Sequence, residues 1–310
     1  MAASAIMSAE RPRKCSSYED HVVDCTVPLK LDNLQKKSVV ITGGATGLGR
    51  AYVKAFAEAG AFVTFGDIKE EAGVELASEV PRAKFVRCDV RNWDDQVHLF
   101  ECAMVNNENF SCDIVIANAG VSAPDGSSIL DDAGMSPIKP DTTHLDVNTT
   151  GLLYTAKLAL HYFRRSPVIQ NQDRSLILIS SMGAYLDFPG SSMYSMSKFA
   201  TRGLMRSLRR GNWLGLNRVN IIAPWFIKTH TYTKAFLEML EKEGIKFASY
   251  EDAVRAVLRC ASDTSINGRS IGILPREYCA SGYVDLAQDD YALSTNLAKW
   301  QDITLRLGMN

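Results

Sequence analysis

The sequence predicts an α/β protein: one doubly wound parallel sheet of about seven strands with helices on both faces. Short apolar runs of strand length alternate regularly with segments whose apolar residues recur at helical spacing, and the connections between them are short. No internal repeat and no linker-like segment divides this alternation. The 310 residues are therefore expected to share one core.

The first half of the chain contains four of the predicted strands. Each is a short apolar run, and segments with helical periodicity separate them. The strands are expected at 38–42, 61–65, 84–88 and 113–117, and the helices at 50–60, 69–79 and 92–106. Strands joined by helices run parallel, so their carboxyl ends meet at the edge of the sheet where ligands bind.

The second half continues the same alternation. Helices are expected at 142–165, at 193–214 with Ser191 or Ser192 as the cap, at 250–260 and near 293–307, and strands at 176–179, 218–222 and 270–274. Residues 1–33 form an N-terminal arm, and 34–310 form a single domain. This domain includes a substrate loop at about 223–250 and a C-terminal extension at 276–310.

The composition is that of an ordinary globular protein and excludes several classes of function. The net charge of −1 provides no general attraction to nucleic acid or to an anionic membrane. No apolar run approaches the roughly 18 residues that span a bilayer, and the first residues lack the apolar core of a secretory signal. Seven scattered cysteines without Cys-x-x-Cys, and five histidines without ligand spacing, predict neither disulfides nor a metal site. A cytoplasmic protein is expected.

A glycine-rich turn lies between the first strand and the first helix. Thr42 and Gly43 are followed, after three residues, by Gly47, Leu48 and Gly49. The first glycine permits a tight turn, and the later two let the backbone approach a pyrophosphate and the helix approach the sheet. The amino end of the helix then faces the phosphates. Glycine runs are common in loops, but the order strand, turn, helix indicates a Rossmann-type dinucleotide site.

Asp67 follows the second predicted strand, twenty residues after Gly47. A carboxylate there accepts hydrogen bonds from the adenosine ribose hydroxyls and repels a 2′-phosphate, which favours NAD over NADP. Neither Thr46 nor Ile68 is basic, although Lys69 softens the preference. A helix N-cap is the alternative role for Asp67.

Two later strand ends add candidate contacts to the cofactor. Asp89 and Val90 are placed against the adenine edge, and the backbone of Asn118, Ala119 and Gly120 passes close to the cofactor. The alternative interpretation is that Asp89 and the run 118–120 are plain turn residues.

A serine, a tyrosine and a lysine form the candidate catalytic group. Ser181 follows the strand 176–179, and Tyr194 and Lys198 lie four residues apart on one face of the next helix. A free phenol loses its proton only near pH ~10, and a neighbouring ammonium or the amino end of a helix favours the phenolate. A chance Tyr-x-x-x-Lys is the alternative. Asn148, within the helix 142–165, has a kink or a bound water as its alternative role.

These motifs resemble, in order and spacing, those of the classical short-chain dehydrogenase/reductase family over about residues 34–275. The resemblance implies that Tyr194 is the general acid/base and that Ser181 orients the substrate oxygen. It also implies that Lys198 binds the nicotinamide ribose and lowers the Tyr194 pKa, and that Asn148 holds a water in a proton relay.

The segment after the sixth predicted strand departs from the family pattern. By the resemblance, Pro224, Ile227 and Thr229 contact the cofactor carboxamide, but Trp225 stands where the family usually has glycine. A bulky indole there indicates a repositioned loop and a walled substrate pocket. The expected pocket residues are apolar or aromatic: Met182, Tyr185, Phe188, Met193, Trp225 and Phe226, with Tyr232 and Phe236 of the following segment. The alternative is that several of these pack under the loop.

Together the motifs predict NAD-dependent oxidation of a bulky, hydrophobic secondary alcohol to a ketone, or the reverse reaction. Residues 223–229, Asp67 and the chain length resemble a fungal group of secondary metabolism related to 15-hydroxyprostaglandin dehydrogenase and 5′-hydroxyaverantin dehydrogenase. The alternatives are an NADPH-dependent ketoreductase and an NAD-binding protein of the same fold without a redox role. The resemblance also implies a homodimer or homotetramer; Leu204, Leu208 and Trp213 are candidate contacts that are otherwise core.

Overall fold

The computed structural model describes residues 21–122, 134, 136–167, 173–210, 216, 218–229 and 232–308. The strands are β1 (Ser38–Thr42), β2 (Phe62–Asp67), β3 (Ala83–Arg87), β4 (Ile114–Ala117), β5 (Ser175–Ile179), β6 (Arg218–Pro224), β7 (Ser270–Ile273) and β8 (Tyr283–Asp285). Within the described residues they form one sheet of order β3-β2-β1-β4-β5-β6-β7-β8. The first seven strands are parallel, as expected from the alternation of strands and helices.

The helices lie on both faces of this sheet. Their bounds are α1 (Gly47–Glu58), α2 (Glu70–Glu79), α3 (Trp93–Val105), α4 (Thr143–Leu145), α5 (Leu152–Arg165), α6 (Ser192–Leu208), α7 (Lys234–Lys242), α8 (Tyr250–Ser262) and α9 (Asn296–Gly308). The predicted helices agree with these to within a few residues, and the end of the predicted helix 193–214, with Trp213, lies outside the described residues.

The strand count of about seven needs a correction, because an eighth strand extends the sheet. β8 is antiparallel to β7, with Ile271 opposite Asp285. It has only three residues, too few to show a periodic pattern. Its buried Asp285 forms an ion pair with Arg269 at 2.7 Å, a long-range contact that no local apolar pattern reveals.

The predicted helix 142–165 is not regular. A π-helical turn, Asp146–Gly151, separates α4 from α5. A Cβ on Gly151 would lie 2.8 Å from Cγ2 of Val90, so the backbone here passes unusually close to the segment after β3. Such turns interrupt an α-helix where one extra residue is accommodated, frequently at functional sites. Here the turn carries Asn148.

Alternation along the buried strands divides the core into two layers. Val39 and Ile41 of β1 face the cluster that includes α1 and α8, whereas Val40 faces the cluster with α3 and α5. Every residue of β1 is buried, as expected for a parallel strand with helices on both sides. The functional edge is therefore the row of strand carboxyl ends.

The amino-terminal end of the described chain packs on this domain. The Val23 amide donates to the Asp285 carboxylate at 3.0 Å, and Arg259 of α8 donates to the Val27 carbonyl at 2.9 Å. Residues 21–33 of the predicted arm thus lie across α8 and β8, while 1–20 lie outside the described residues. Among the helices that the structure describes, none is long and apolar enough to cross a membrane.

Candidate active site

The carboxyl end of β5 and the amino end of α6 bring the candidate catalytic side chains together. Ser181 precedes a 3-10 turn, Met182–Ala184, and its hydroxyl accepts a hydrogen bond from the Gly183 amide at 3.1 Å. Tyr194 lies in the first turn of α6, and its phenol is hydrogen-bonded to Ser181. Ser191 occupies the N-cap position of α6, but its side chain makes no capping bond.

The Tyr194 phenol is held in an environment that favours its neutral form. Burial raises the pKa of Tyr194 to about 12, and the hydrogen bond with Ser181 opposes this rise. The nearby Tyr232 phenol raises the pKa further. The pKa lowering expected from Lys198 is not found. Burial of the phenol is the largest effect on its pKa.

The ammonium of Lys198 is bound at the end of β5. Its Nζ donates to the Ile179 carbonyl at 3.3 Å and lies 5.5 Å from the centre of the Tyr194 ring. The side chain is only 6 % exposed, and burial lowers the pKa of Lys198 from 10.5 to about 8. Lys198 is therefore a lysine that exchanges its proton near neutral pH.

Asn148 links the helix α5 side of the site to the loop after β4. Its Oδ1 accepts from the Val121 amide at 2.8 Å, and its Nδ2 donates to the Val121 carbonyl at 2.9 Å and to the Ser197 hydroxyl at 3.1 Å. The carboxamide is thus fully used in fixing the backbone beside Gly120. A Cβ on Gly120 would lie 3.2 Å from Asn148 Oδ1 and 3.6 Å from Lys198 Nζ, so this glycine keeps the space between them open.

The glycine-rich turn has the tight geometry that a dinucleotide site needs. Gly43 and Gly47 have positive φ, and a Cβ on Gly49 would lie 1.9 Å from the Gly43 carbonyl oxygen. The Asn118 side chain donates to the carbonyls of Thr42 and Gly43 at 3.0 and 2.9 Å. The Thr42 hydroxyl accepts in return from the amides of Asn118 and its neighbour Ala119. These bonds hold the turn against the end of β4.

The amino end of α1 and the end of β2 fit a nicotinamide dinucleotide. Thr46, the N-cap of α1, makes no side-chain capping bond, and the first turn carries no acidic residue, so its amides suit an anion. The buried Asp67 carboxylate accepts from the Ala45 amide and from the Lys69 amide, each at 3.0 Å. Each carboxylate oxygen has further acceptor capacity. Asp67 thus holds the glycine-rich turn in place, and its carboxylate can still accept hydrogen bonds from the ribose hydroxyls of a cofactor.

The contacts of Asp89 are compatible with both of its predicted roles, as a neighbour of the adenine edge and as a turn residue. Its carboxylate forms a bidentate pair with Arg91, with Asp89 Oδ2 2.6 Å from one guanidinium nitrogen. It also accepts from the Arg91 amide, as a turn residue does, and these hydrogen bonds with Arg91 hold the pKa of Asp89 below its usual range. The Val90 side chain is buried against Gly151, so only the backbone of Val90 is offered to the cofactor site.

A cluster of aromatic rings forms a wall at the end of β6. The ring of Phe226 is at its centre, with ring centroids 4.9 Å from Trp225, 6.0 Å from Phe188, 6.0 Å from Tyr232 and 6.2 Å from Phe236. These contacts join the loop before α6, the end of β6 and the start of α7. The wall is large and apolar, and its role as the lining of a substrate pocket stays a prediction.

Trp225 ties the loop after β6 to its neighbours. Its amide donates to the Ile273 carbonyl at 3.0 Å, and its indole Nε1 donates to the Lys246 carbonyl at 3.1 Å. The side chain packs partly on the core, so one of its faces lies under the loop. Ile227 is buried and forms a bridge with Ala248, which fixes the backbone from Pro224 toward Thr229.

Three predicted pocket residues have other contacts. The Tyr185 hydroxyl donates to Ser270 at 2.7 Å and lies 3.4 Å from Asp289, which directs it toward β7 and the C-terminal extension. Met182 packs on the core with its sulfur near Gly272, and Met193 is 5 % exposed. These side chains support the wall from behind.

The structure also places near the site one side chain that sequence reasoning did not identify as functional. The ring of buried His144 meets Tyr194 edge-on, with ring centroids 6.1 Å apart. No local pattern marks this contact, because the two residues lie far apart in the chain.

Comparisons with known proteins agree with this geometry. The family model described as short chain dehydrogenase matches residues 37–239. A 5′-hydroxyaverantin dehydrogenase from Dothistroma septosporum is 36% identical over 280 residues, covering 84% of this chain and 89% of that protein. The NADP-dependent dehydrogenase M3 of a Phoma species is 30% identical over 300 residues, covering 91% and 86%. A short-chain type dehydrogenase/reductase from Mycobacterium marinum has 26% identity and a TM-score of 0.68, covering 80% and 98%. The chain therefore belongs to the short-chain dehydrogenase/reductase family and is an oxidoreductase of the nicotinamide-dependent type.

Proposed function

We propose that this protein oxidises a bulky, hydrophobic secondary alcohol to a ketone with NAD, or catalyses the reverse reaction, in fungal secondary metabolism. The observation that carries the proposal is the convergence of Ser181, Tyr194 and Lys198 at the carboxyl end of β5, while the neighbouring strand β6 ends in the aromatic wall around Phe226. A phenol bonded to a hydroxyl, next to a large apolar surface, suits proton exchange with an alcohol or ketone oxygen.

The chain's own residues handle the proton. Ser181 holds the substrate oxygen, and Tyr194 accepts the hydroxyl proton in oxidation or donates it in reduction. When bound, the nicotinamide ring supplies the acceptor for the hydride that leaves the carbinol carbon. Since burial keeps the Tyr194 pKa at about 12, the phenol must release a proton before each oxidation. Lys198, whose pKa is about 8, is the adjacent group that exchanges protons near neutral pH, and Asn148 keeps the loop at Val121 in place beside it.

The cofactor proposed is NAD. The support is the Asp67 carboxylate at the end of β2, anchored toward the glycine-rich turn through the Ala45 amide, with neutral Thr46 and Ile68 beside it. A fixed negative charge there opposes a 2′-phosphate. The names of two relatives, NADP-dependent dehydrogenases M3 and clz5, favour NADP as the second candidate.

Titration calorimetry separates the two cofactors. We expect NAD to bind at least about tenfold more tightly than NADP, and Asp67→Asn to narrow this ratio because it removes the charge while keeping one acceptor oxygen. Equal or tighter binding of NADP by the unaltered protein would establish the second candidate.

Turnover tests the reaction itself. With a panel of aryl-alkyl secondary alcohols, Tyr194→Phe should lower NADH formation at least about a hundredfold while leaving NAD affinity within about twofold. Tyr52→Phe is the matched control, since its buried hydroxyl has no hydrogen-bond partner in the described part of the chain. Unchanged turnover in Tyr194→Phe would remove the acid/base role. Absence of turnover by the unaltered protein across the panel would favour a non-redox role.

We further propose a cytoplasmic homodimer or homotetramer. The support is the apolar outer face of α5 and α6, where Leu153, Met196 and Phe199 are 49, 54 and 49 % exposed. Leu204 and Leu208, the contacts expected from sequence, pack instead partly on the core, and Trp213 lies outside the described residues. Light scattering after size-exclusion chromatography measures the assembly, and a monomer would contradict it.

A further inference from the structure

Gln96 joins the segment after β3 to the π-helical turn before α5. It lies in the first turn of α3, and its side chain is fully buried. Its Nε2 donates to the Val90 carbonyl at 2.6 Å and to the Gly151 carbonyl at 2.8 Å. Val90 follows β3, whereas Gly151 ends the turn that carries Asn148. One side chain thus bridges the end of a strand and the start of a helix.

The amide of Gln96 is fully employed by its contacts. Its two N–H groups face the two carbonyls, and its Oε1 accepts from the Thr155 hydroxyl at 2.7 Å. A rotated amide would bring its oxygen against the carbonyls, so the network fixes its orientation. Val90, Gly151 and Thr155 are buried as well. Loss of the Gln96 amide would therefore leave buried carbonyls without a donor.

The π-helical turn depends on this support from outside its own helix. The extra residue of such a turn interrupts the regular hydrogen-bond ladder of an α-helix, so carbonyls in it draw on other donors. At Gly151 the donors are Gln96 and the Thr155 hydroxyl, the latter at 3.0 Å. A Cβ on Gly151 would lie 3.1 Å from the Val90 carbonyl oxygen, so the turn is packed tightly on the segment after β3.

Asn148 connects the turn to the catalytic helix. Its Nδ2 donates to the Ser197 hydroxyl at 3.1 Å, and that hydroxyl donates to the Tyr194 carbonyl at 2.6 Å. The same carboxamide bonds both the amide and the carbonyl of Val121, in the loop after β4. A displaced turn would therefore disturb the first turn of α6 and the loop at Val121 together.

We propose that Gln96 is a positioning residue that holds the π-helical turn in place and thereby keeps Asn148 bonded to α6 and to the loop after β4. Its effect on the reaction passes through Asn148 to the helical turn that carries Tyr194, and Gln96 itself touches neither substrate nor cofactor. The effect on turnover rests on the proposed function. The effect on the loop at Val121 rests on the hydrogen bonds alone.

Hydrogen exchange at the Val121 amide tests the position of the turn without any turnover. Gln96→Met retains the length of the side chain and removes its three hydrogen bonds. We expect exchange at Val121 to become at least about tenfold faster, because the Asn148 oxygen that accepts from this amide is displaced.

Asn107→Leu is the matched control. This buried amide also donates to two backbone carbonyls, at 2.9 and 2.8 Å, but it lies beyond the other end of α3. Its loss should lower the stability of the fold while changing exchange at Val121 by less than about twofold. Equal acceleration in the two variants, or none in Gln96→Met, would overturn the inference.

Two variants at Thr155 provide a milder test that decides the matter where Gln96→Met does not fold. Thr155→Val removes the hydroxyl that bonds the Gln96 amide and keeps the shape of the side chain, whereas Thr155→Ser keeps the hydroxyl. We expect exchange at Val121 to be about three- to tenfold faster in Thr155→Val and within about twofold of the parent in Thr155→Ser. Equal exchange rates in these two variants would contradict the proposal.

Turnover connects the inference to the reaction. At saturating cofactor, Gln96→Met should lower kcat about tenfold and change the KM for the alcohol by less than about twofold, whereas Asn107→Leu should leave both values within about twofold. An unchanged kcat in Gln96→Met overturns the inference alone. Faster exchange at Val121 in Gln96→Met, with no turnover by the unaltered protein, supports the inference while the proposed function fails.

Discussion

Replacing Lys198 with methionine should stabilise the fold at neutral pH while abolishing turnover. The side chain is 6 % exposed, and burial lowers its pKa from 10.5 to about 8. The protein therefore folds around a cation that is disfavoured in its surroundings. Methionine has a similar length and no charge, so it removes the unfavourable group with little change in packing.

The magnitude follows from the two pKa values. Because the folded pKa of Lys198 is below the unfolded one, the unfolded chain binds more protons, and stability rises with pH between about 8 and 10.5. The buried charge thus costs about 3 kcal/mol at pH 7 and about 1.4 kcal/mol at pH 9.5. Loss of the bond from Lys198 to the Ile179 carbonyl offsets about 1 kcal/mol. A net gain of about 2 kcal/mol remains at pH 7 and almost none at pH 9.5.

Urea denaturation at the two pH values measures this difference. Lys157→Met, at an exposed position of α5, is the control, and its free energy of unfolding should change by less than about 0.5 kcal/mol. A Lys198→Met variant that is less stable than the parent at pH 7, or equally stabilised at both pH values, would show that the lysine is not buried as a disfavoured charge.

Three further predictions concern the proton, the cofactor turn and the C-terminal extension. The kcat/KM for alcohol oxidation should rise from pH 7 to 10 and that for ketone reduction should not, because Tyr194 with a pKa of about 12 is protonated throughout; a flat oxidation profile would contradict this. Gly49→Ala, whose Cβ would lie 1.9 Å from the Gly43 oxygen, should lower NAD affinity at least about tenfold in calorimetry. The control Gly203→Ala, in open space on α6, should add about 0.5–1 kcal/mol of stability. Asp289→Asn should lower the free energy of unfolding by about 1–3 kcal/mol at pH 7, a loss that shrinks as the pH falls through the lowered carboxyl pKa; equal stability in urea would refute it.

Local motifs account for the parts of the site that the sequence predicts. The four-residue spacing of Tyr194 and Lys198 fixes their relative position on any α-helix, and the glycines at 43 and 49 are required wherever a strand turns so tightly into a helix. Short continuous apolar runs likewise predict the strands, since a parallel strand covered by helices on both faces is buried on both sides. These features depend on neighbours in the chain, which a sequence displays.

The features that the sequence does not predict depend on distant partners. The π-helical turn around Asn148 coincides with the close approach of Gly151 to Val90, and Asp285 of β8 is paired with Arg269. The raised pKa of Tyr194 is a consequence of burial, which no spacing encodes. An aromatic residue close in sequence to a pocket motif is therefore predicted to line the wall. The sequence does not show whether its hydroxyl points into the pocket or away from it.

The outward direction of Tyr185 has a consequence for the catalytic geometry. Its hydroxyl lies 3.4 Å from Asp289, and Arg202, one turn after Lys198 on α6, donates to the same carboxylate at 2.7 Å. Burial alone would raise the pKa of Asp289, but hydrogen bonds from Ser270 and Arg202 outweigh it and hold the carboxylate in its charged form.

One carboxylate thus ties together the two segments that carry the reacting groups, since Tyr185 is four residues after Ser181 and Arg202 is eight after Tyr194. Catalysis needs the Ser181 and Tyr194 hydroxyls within about 0.5 Å of their working positions. Asp289 lies beyond residues 37–239, the part matched by the family model. The C-terminal extension of this chain therefore supports the active site directly, although none of its side chains is proposed to touch the substrate.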